Sequence, residues 1–146
     1  MALITSQKRV WTGRTLSSLA VLFLLFDGVV KFFPIAAVTD SFAQLGYPAE
    51  LAVTIAVIEL ACLALYVIPR TAILGAVLLT GYFGGAIATH VRVGNPLFSH
   101  VLFPTYVAAL IWVGLYLRHE SLRAFVRSAV LGVPSRESVV PAVSQR

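Results

Sequence analysis

Asp27, Lys31, Glu59, His90, Arg92 and His100 carry acid, base or cationic chemistry inside, or at the ends of, otherwise apolar stretches. Glu59 is the most demanding of them. It is the only charged residue among the eighteen of Leu51 to Ile68, LAVTIAVIELACLALYVI. An ionised carboxylate in hydrocarbon costs several kcal/mol or is forced to take a proton, so this one must face other protein and find a partner. At helical spacing it shares a face with Ala52, Ile55, Ala56, Cys62, Leu63 and Tyr66, and the small members of that face admit a neighbouring backbone. Val53, Val57, Leu60, Ala64 and Val67 are left for the lipid side. Such a carboxylate can bind a ligand, carry a proton or hold helices together, and the groups that reach it decide which.

Lys31 is the credible partner. Asp27 and Lys31 are four residues apart and share a helix face one turn apart. Two arrangements are open. They can form a self-contained ion pair at the membrane edge, with the lysine reaching to water. Alternatively Asp27 points into the bundle and Lys31 bridges it to Glu59, with Gly28 allowing close helix contact on that side.

The elements that position these groups follow from composition. Of 146 residues, 59 % are hydrophobic and 12 % charged, and the mean hydropathy is +0.91. That is more apolar surface than a soluble domain of this size can hide, so the chain is an all-α integral membrane protein of one domain whose first partner is the lipid bilayer. The net charge of +5 comes from basic residues that flank apolar spans and form no continuous face, so no nucleic-acid partner is expected. Cys62 is the only cysteine, which leaves no internal disulfide, CxxC pair or zinc constellation, and no metal site is expected.

Four spans are expected. Residues 1–14 form a basic cytoplasmic segment carrying Lys8, Arg9 and Arg14, and an uncleaved first span follows over about 15–33, ending at Pro34. Residues 34–50 are too polar and broken to span. Thr39 can N-cap a short helix through Leu45, with Gly46 closing it. The second span, 51–68, stops at Pro69 and Arg70, and the connection is so short that the third, 71–91, must return antiparallel. Gly81 and Gly85 stand in GxxxG spacing on this third span, which favours tight helix packing within the bundle or in a homo-oligomer. His90 falls roughly 140° around the helix from Gly85. An Asn-Pro turn at Asn95 leads to the fourth span, 100–117, with Pro104 tolerated in its first turn and Trp112 and Tyr116 suited to anchoring the far interface. Residues 118–132 form a basic amphipathic segment for the membrane surface, and 133–146 a disordered tail.

With four spans, seven basic residues (Lys8, Arg9, Arg14, Arg70, Arg118, Arg123 and Arg127) fall on one side. The other side has Arg92, with Lys31 at a helix end. The asymmetry puts both termini in the cytoplasm. Asp27, Lys31, His90, Arg92 and His100 then gather with Glu59 in the outer half of the membrane, as an outward-facing polar pocket centred on Glu59.

Short motifs in a fixed order give the chain a likeness. They are Lys31 ending the first span, Leu-Gly-Tyr-Pro at Leu45 to Pro48, Ile-Glu-Leu at Ile58 to Leu60, Ile-Pro-Arg at Ile68 to Arg70, Gly75, and Ala-Thr-His at Ala88 to His90. In these the chain resembles the DoxX family, in particular its DoxX-like branch of small four-helix membrane proteins. The resemblance implies a four-transmembrane-helix bundle in the bacterial inner membrane. For some relatives it also implies a subunit role in membrane redox systems, quinone-coupled thiosulfate oxidation and thiol-stress complexes among them. On that basis the expected function is an accessory subunit of a quinone- or thiol-linked system, with a redox partner protein and quinone as the cofactor class. The sequence holds no catalytic or redox motif of its own. Two other classes stay open: a small-molecule or lipid binding and transport module, and a structural bundle that recruits a partner.

Overall fold

A computed structural model describes residues 2–131. The expected tail, 133–146, lies outside the described residues. Six α-helices follow one another: α1 (Ala2–Val30), α2 (Ala36–Gln44), α3 (Leu51–Val67), α4 (Ala72–Arg92), α5 (Phe103–Arg118) and α6 (Glu120–Leu131), with a five-residue π-helical turn at Leu97–Val101 before α5. Helices α1, α3, α4 and α5 close a ring in which α1 packs on α5 and α3, while α4 packs on α3 and α5.

Three helical stretches are long and apolar enough to cross a membrane: Gln7–Val30, Ala72–Arg92 and Leu97–Arg118. Helix α3 is as apolar but has 17 residues, about 26 Å at the α-helical rise, against a hydrocarbon layer of roughly 30 Å. Pro69 ends it by forbidding helix at the preceding residue; Ile68 is extended, with ψ 120°. The outward faces, including Leu22, Phe26, Val57, Leu74 and Val77, are exposed apolar surface suited to lipid.

The core is built from Ala20, Leu24, Leu63, Tyr66, Ala76, Leu79, Ile111 and Leu115, drawn from all four helices of the ring. Helix α3 buries the face expected of it: Ala52, Ala56, Glu59, Cys62, Leu63 and Tyr66 are buried and Ile55 is half-buried. Leu60 departs from the lipid side. It is half-buried, and its Cδ2 would lie 2.7 Å from a Cβ on Gly28, so α1 and α3 meet through this pair. Close backbone approach falls on glycines outside the expected motif. A Cβ on Gly114 would lie 2.9 Å from the Ser17 backbone nitrogen, where α5 crosses α1. A Cβ on Gly75 would run into the Tyr66 backbone, where the α3–α4 hairpin closes. At Gly81 and Gly85 it would meet nothing within 4 Å.

Several local details differ from expectation for identifiable reasons. The first helix begins at Ala2, so the basic segment before residue 15 continues the helix, and it ends at Val30, three residues short of Phe33. Thr39 is not an N-cap. Ile35 occupies that position without a side-chain cap, and the Thr39 hydroxyl donates back to the Ala36 carbonyl at 3.1 Å, a bond open to threonine inside a helix. Gly46 does close α2, at φ 71°, a conformation that favours glycine. Trp112 donates its indole N–H to the Thr80 hydroxyl at 2.9 Å, tying α5 to α4.

Candidate functional site

The end of the bundle that carries α2 holds a polar cluster assembled from three helices. Lys31, just past the end of α1, stands over Asp27 one turn earlier and forms an ion pair with it. The same ammonium reaches Glu59 Oε2 on α3 at 2.7 Å and donates to the Tyr82 hydroxyl on α4 at 3.3 Å. Tyr82 in turn donates to Glu59 Oε2 at 2.9 Å. Of the two arrangements open to Lys31, the structure has the bridge: the ammonium joins Asp27 to Glu59 and does not reach out to water. Glu59 is fully buried, while the Asp27 side chain is 43 % exposed. Both donors to Glu59 fall on Oε2, and its Oε1 has no hydrogen-bond partner among the described residues.

Tyr82 escaped sequence reasoning. It lies next to Gly81 in a run read for its glycines, and a tyrosine in an apolar helix gives no sign that its hydroxyl reaches an acid 23 positions away. The one usable signal was a requirement: a buried carboxylate needs several donors, and a lysine supplies one of them.

Beside this cluster lies a cavity of about 530 Å³ between α1, α4 and α5, roofed by Ser41 and Phe42 of α2 and by Leu45 and Tyr47 just beyond it. Its volume is within the range of small-molecule sites, roughly 300–1,000 Å³. Phe23, Leu24, Phe83, Phe103 and Val107 make it largely apolar, and Asp27, Lys31, Tyr82 and His90 give it polar points. Gly81 and Gly85 border it as well, so the missing side chains of the GxxxG pair leave space for the cavity. Gly85 and His90 share this wall despite their angular separation on α4. Glu59 does not border the cavity. It sits behind the wall and touches it through Lys31 and Tyr82.

The candidates at and beyond the end of α4 divide. His90 borders the cavity, and its Nδ1 receives the Asn95 side-chain N–H at 2.8 Å, which assigns the ring proton to Nε2. His100 packs edge-on against His90 with ring centroids 5.8 Å apart, and its Nδ1 pairs with the Ser99 hydroxyl at 2.8 Å. Arg92 donates to the Leu45 carbonyl and lies over the Tyr47 ring at 5.2 Å. The Tyr47 hydroxyl meets Thr89 Oγ1 at 3.0 Å. Arg92 and Tyr47 thus hold the α2 roof to the end of α4. Neither Arg92 nor His100 borders the cavity, so of the six sequence candidates Asp27, Lys31 and His90 line it and Glu59 supports it from behind.

The donor set can be tested against a quinone. Lys31 and Tyr82 are engaged with each other and with the carboxylates, and the Thr89 hydroxyl donates to the Gly85 carbonyl at 2.9 Å. The His90 Nε2–H and the exposed Asp27 carboxylate remain to offer one donor and one acceptor. One such donor can serve one of a quinone's two carbonyls, and one such acceptor one of a quinol's two hydroxyls.

No curated protein and no solved structure gives a match to this chain. A family model described as the DoxX-like family matches residues 15–114, which takes in Lys31, Leu-Gly-Tyr-Pro, Glu59 and His90 alike. The match covers more than half of the chain and runs from the first turns of the α1 span to Gly114 of α5, so this multi-pass, all-helical membrane protein belongs to the DoxX-like family.

Proposed function

We propose that the chain crosses the membrane four times, with both termini cytoplasmic, and holds a small lipid-soluble molecule of the quinone class in the cavity between α1, α4 and α5. It serves there as an accessory subunit of a bacterial inner-membrane redox system. The observation that carries this reading is the cavity itself: apolar on most of its wall, polar at Asp27, Lys31, Tyr82 and His90, and of ligand size. The basic residues at the ends of α1 and α5 and in the α3–α4 turn support the orientation. At 17 residues α3 crosses by leaving its ends close to the headgroups.

The residues have distinct roles in this reading. His90 donates to a ligand carbonyl, and Asp27 accepts from a ligand hydroxyl. Lys31 pairs with Asp27 and holds its carboxylate at the cavity wall. Glu59 and Tyr82 hold Lys31 in place from behind, which makes them positioning residues. A bound quinone supplies a carrier of two electrons and two protons, and a partner subunit exchanges the electrons with it.

Titration of a short-chain quinone into the protein in nanodiscs tests the reading. His90→Phe and Asp27→Asn should each weaken binding by about 1 kcal/mol, roughly fivefold. Undiminished affinity in both variants would remove the cavity as the binding site.

A further inference from the structure

At the opposite end of the bundle, α1, α3 and α5 enclose a second cavity of about 430 Å³. Its rim is polar, formed by Arg14, Ser17, Ser18 and Arg118 with Tyr66; Val67 flanks the rim at the end of α3, and Val21 and Leu22 continue the wall toward the middle of the bundle. We infer that this cavity is a binding site for an anionic phospholipid, with the phosphate held by Arg14 and Arg118 and an acyl chain lying along Val21 and Leu22.

Three observations carry the assignment. The first is unbalanced positive charge. Among the described residues the ion pairs are those of Lys31 with Asp27 and Glu59, at the far end of the bundle, so neither Arg14 nor Arg118 has an acidic partner. Two cations at one apolar cleft are stabilised by an anion from outside the chain. The second is a set of idle donors. Arg118 Nε and Nη2 are shielded from solvent and have no hydrogen-bond partner among the described residues. Shielded guanidinium donors are costly to leave unmatched, and the planar fork of arginine fits the oxygens of a phosphate.

The third is a rigid mount. The Arg118 guanidinium lies over the Tyr66 ring at 5.0 Å. That ring is fixed by its hydroxyl, which donates to the Ile111 carbonyl at 3.1 Å and accepts from the buried Ser17 hydroxyl at 2.8 Å. Gly114 lets α1 and α5 approach at this level. Arg118 is therefore held at the cleft by stacking, and no hydrogen bond within the described residues competes with a ligand for Nε or Nη2.

Position selects a lipid over a free anion. Arg14 and Lys31 are separated by about 25 Å along the helix, close to the thickness of the hydrocarbon layer. With Lys31 near one interface, Arg14 lies at headgroup level at the other. A phosphodiester whose headgroup has no cation of its own adds net attraction, whereas the ammonium of phosphatidylcholine cancels it. Basic pockets between transmembrane helices suit anionic headgroups for this reason, at about 1 kcal/mol per arginine.

Native mass spectrometry of the full chain tests this, with dioleoyl phosphatidylglycerol, dioleoyl phosphatidylcholine and inorganic phosphate added separately. The wild type should retain phosphatidylglycerol at least tenfold better than phosphatidylcholine. Arg14→Gln should weaken that retention by roughly fivefold, and Arg14→Gln with Arg118→Gln by roughly 25-fold, to the phosphatidylcholine level. Arg14 is exposed, so the single variant should fold even if the double variant does not. Equal retention of the two lipids by the wild type, or unchanged phosphatidylglycerol retention in Arg14→Gln, would overturn the site. Full displacement of the lipid by millimolar inorganic phosphate would overturn the lipid assignment.

Discussion

Tyr82 donates a hydrogen bond to Glu59 and accepts one from the Lys31 ammonium, so the phenol and the ammonium together stand between the buried acid and the cavity. Removing it with Tyr82→Phe should leave the bundle folded and cost about 1–2 kcal/mol, read as a lowered Tm in detergent. Lys31→Met is harsher, because it strands Glu59 without its cation in an apolar interior, a loss of roughly 3–5 kcal/mol unless the acid takes a proton. Glu59→Gln keeps the shape and most hydrogen bonding. If Glu59 only positions Lys31, that variant should retain quinone with weakened affinity, whereas complete loss of binding by a folded Glu59→Gln protein would place the carboxylate in contact with the ligand. At this scale the sequence was informative about Glu59. Its isolation among seventeen uncharged, largely apolar neighbours demanded a partner, and Lys31 was the reachable one. It was silent about Tyr82, and it assigned Arg92 to the polar pocket, whereas the Arg92 guanidinium braces the α2 roof. Which of several polar residues at a helix end faces inward depends on where the next helix stops.

Helix packing places its demands at Gly75 and Gly114, where an added Cβ would strike the backbone of a neighbouring helix. Gly114→Leu should therefore separate α1 from α5 and lower Tm steeply, while Gly85→Leu should be mild because its side chain enters open space. The GxxxG spacing predicted tight helix packing, but no neighbouring backbone lies within 4 Å of a Cβ on Gly81 or Gly85, and both border the cavity instead. It could not tell a packed backbone from a cavity, since both call for glycine. The faces of α3 were legible from spacing alone, apart from Leu60, whose inward turn depends on Gly28 on another helix.

The α5–α6 junction has its own control point. His119 lies past the end of α5, and burial, together with the Arg118 and Arg123 guanidinium groups, holds its imidazole below the ordinary value of 6.5. The folded junction thus favours the neutral ring. Its stability is retained above that value and falls as the pH drops and the unfolded form takes up the proton first. Arg123 caps α5 by donating to the Leu117 carbonyl at 2.6 Å. Trypsin cleavage within α6 should quicken between pH 7.5 and pH 5.5 and lose that dependence in His119→Gln.

Across the whole molecule, charge is sorted between the two ends. Lys8, Arg9, Arg14, Arg70, Arg118, Arg123 and Arg127 gather at the end that carries the first and last described residues. A reporter fused after Arg127 should read as cytoplasmic and one inserted near Asn95 as external, and the reverse pattern would invert the proposed orientation. Membrane character, helix order and the α3–α4 hairpin were readable from composition and from Pro69, because hydropathy and proline act locally. The cavity was not readable, because it is bounded by four separate stretches and by side chains that glycine lacks. Whether this cavity holds the proposed quinone-class molecule is read most directly by mass-spectrometric identification of what co-purifies in mild detergent with wild type and with Gly85→Leu. A quinone near one per chain is expected in the wild type, with its loss from a folded Gly85→Leu protein. Absence of any quinone from the wild type, or equal retention by the folded variant, would contradict the proposal.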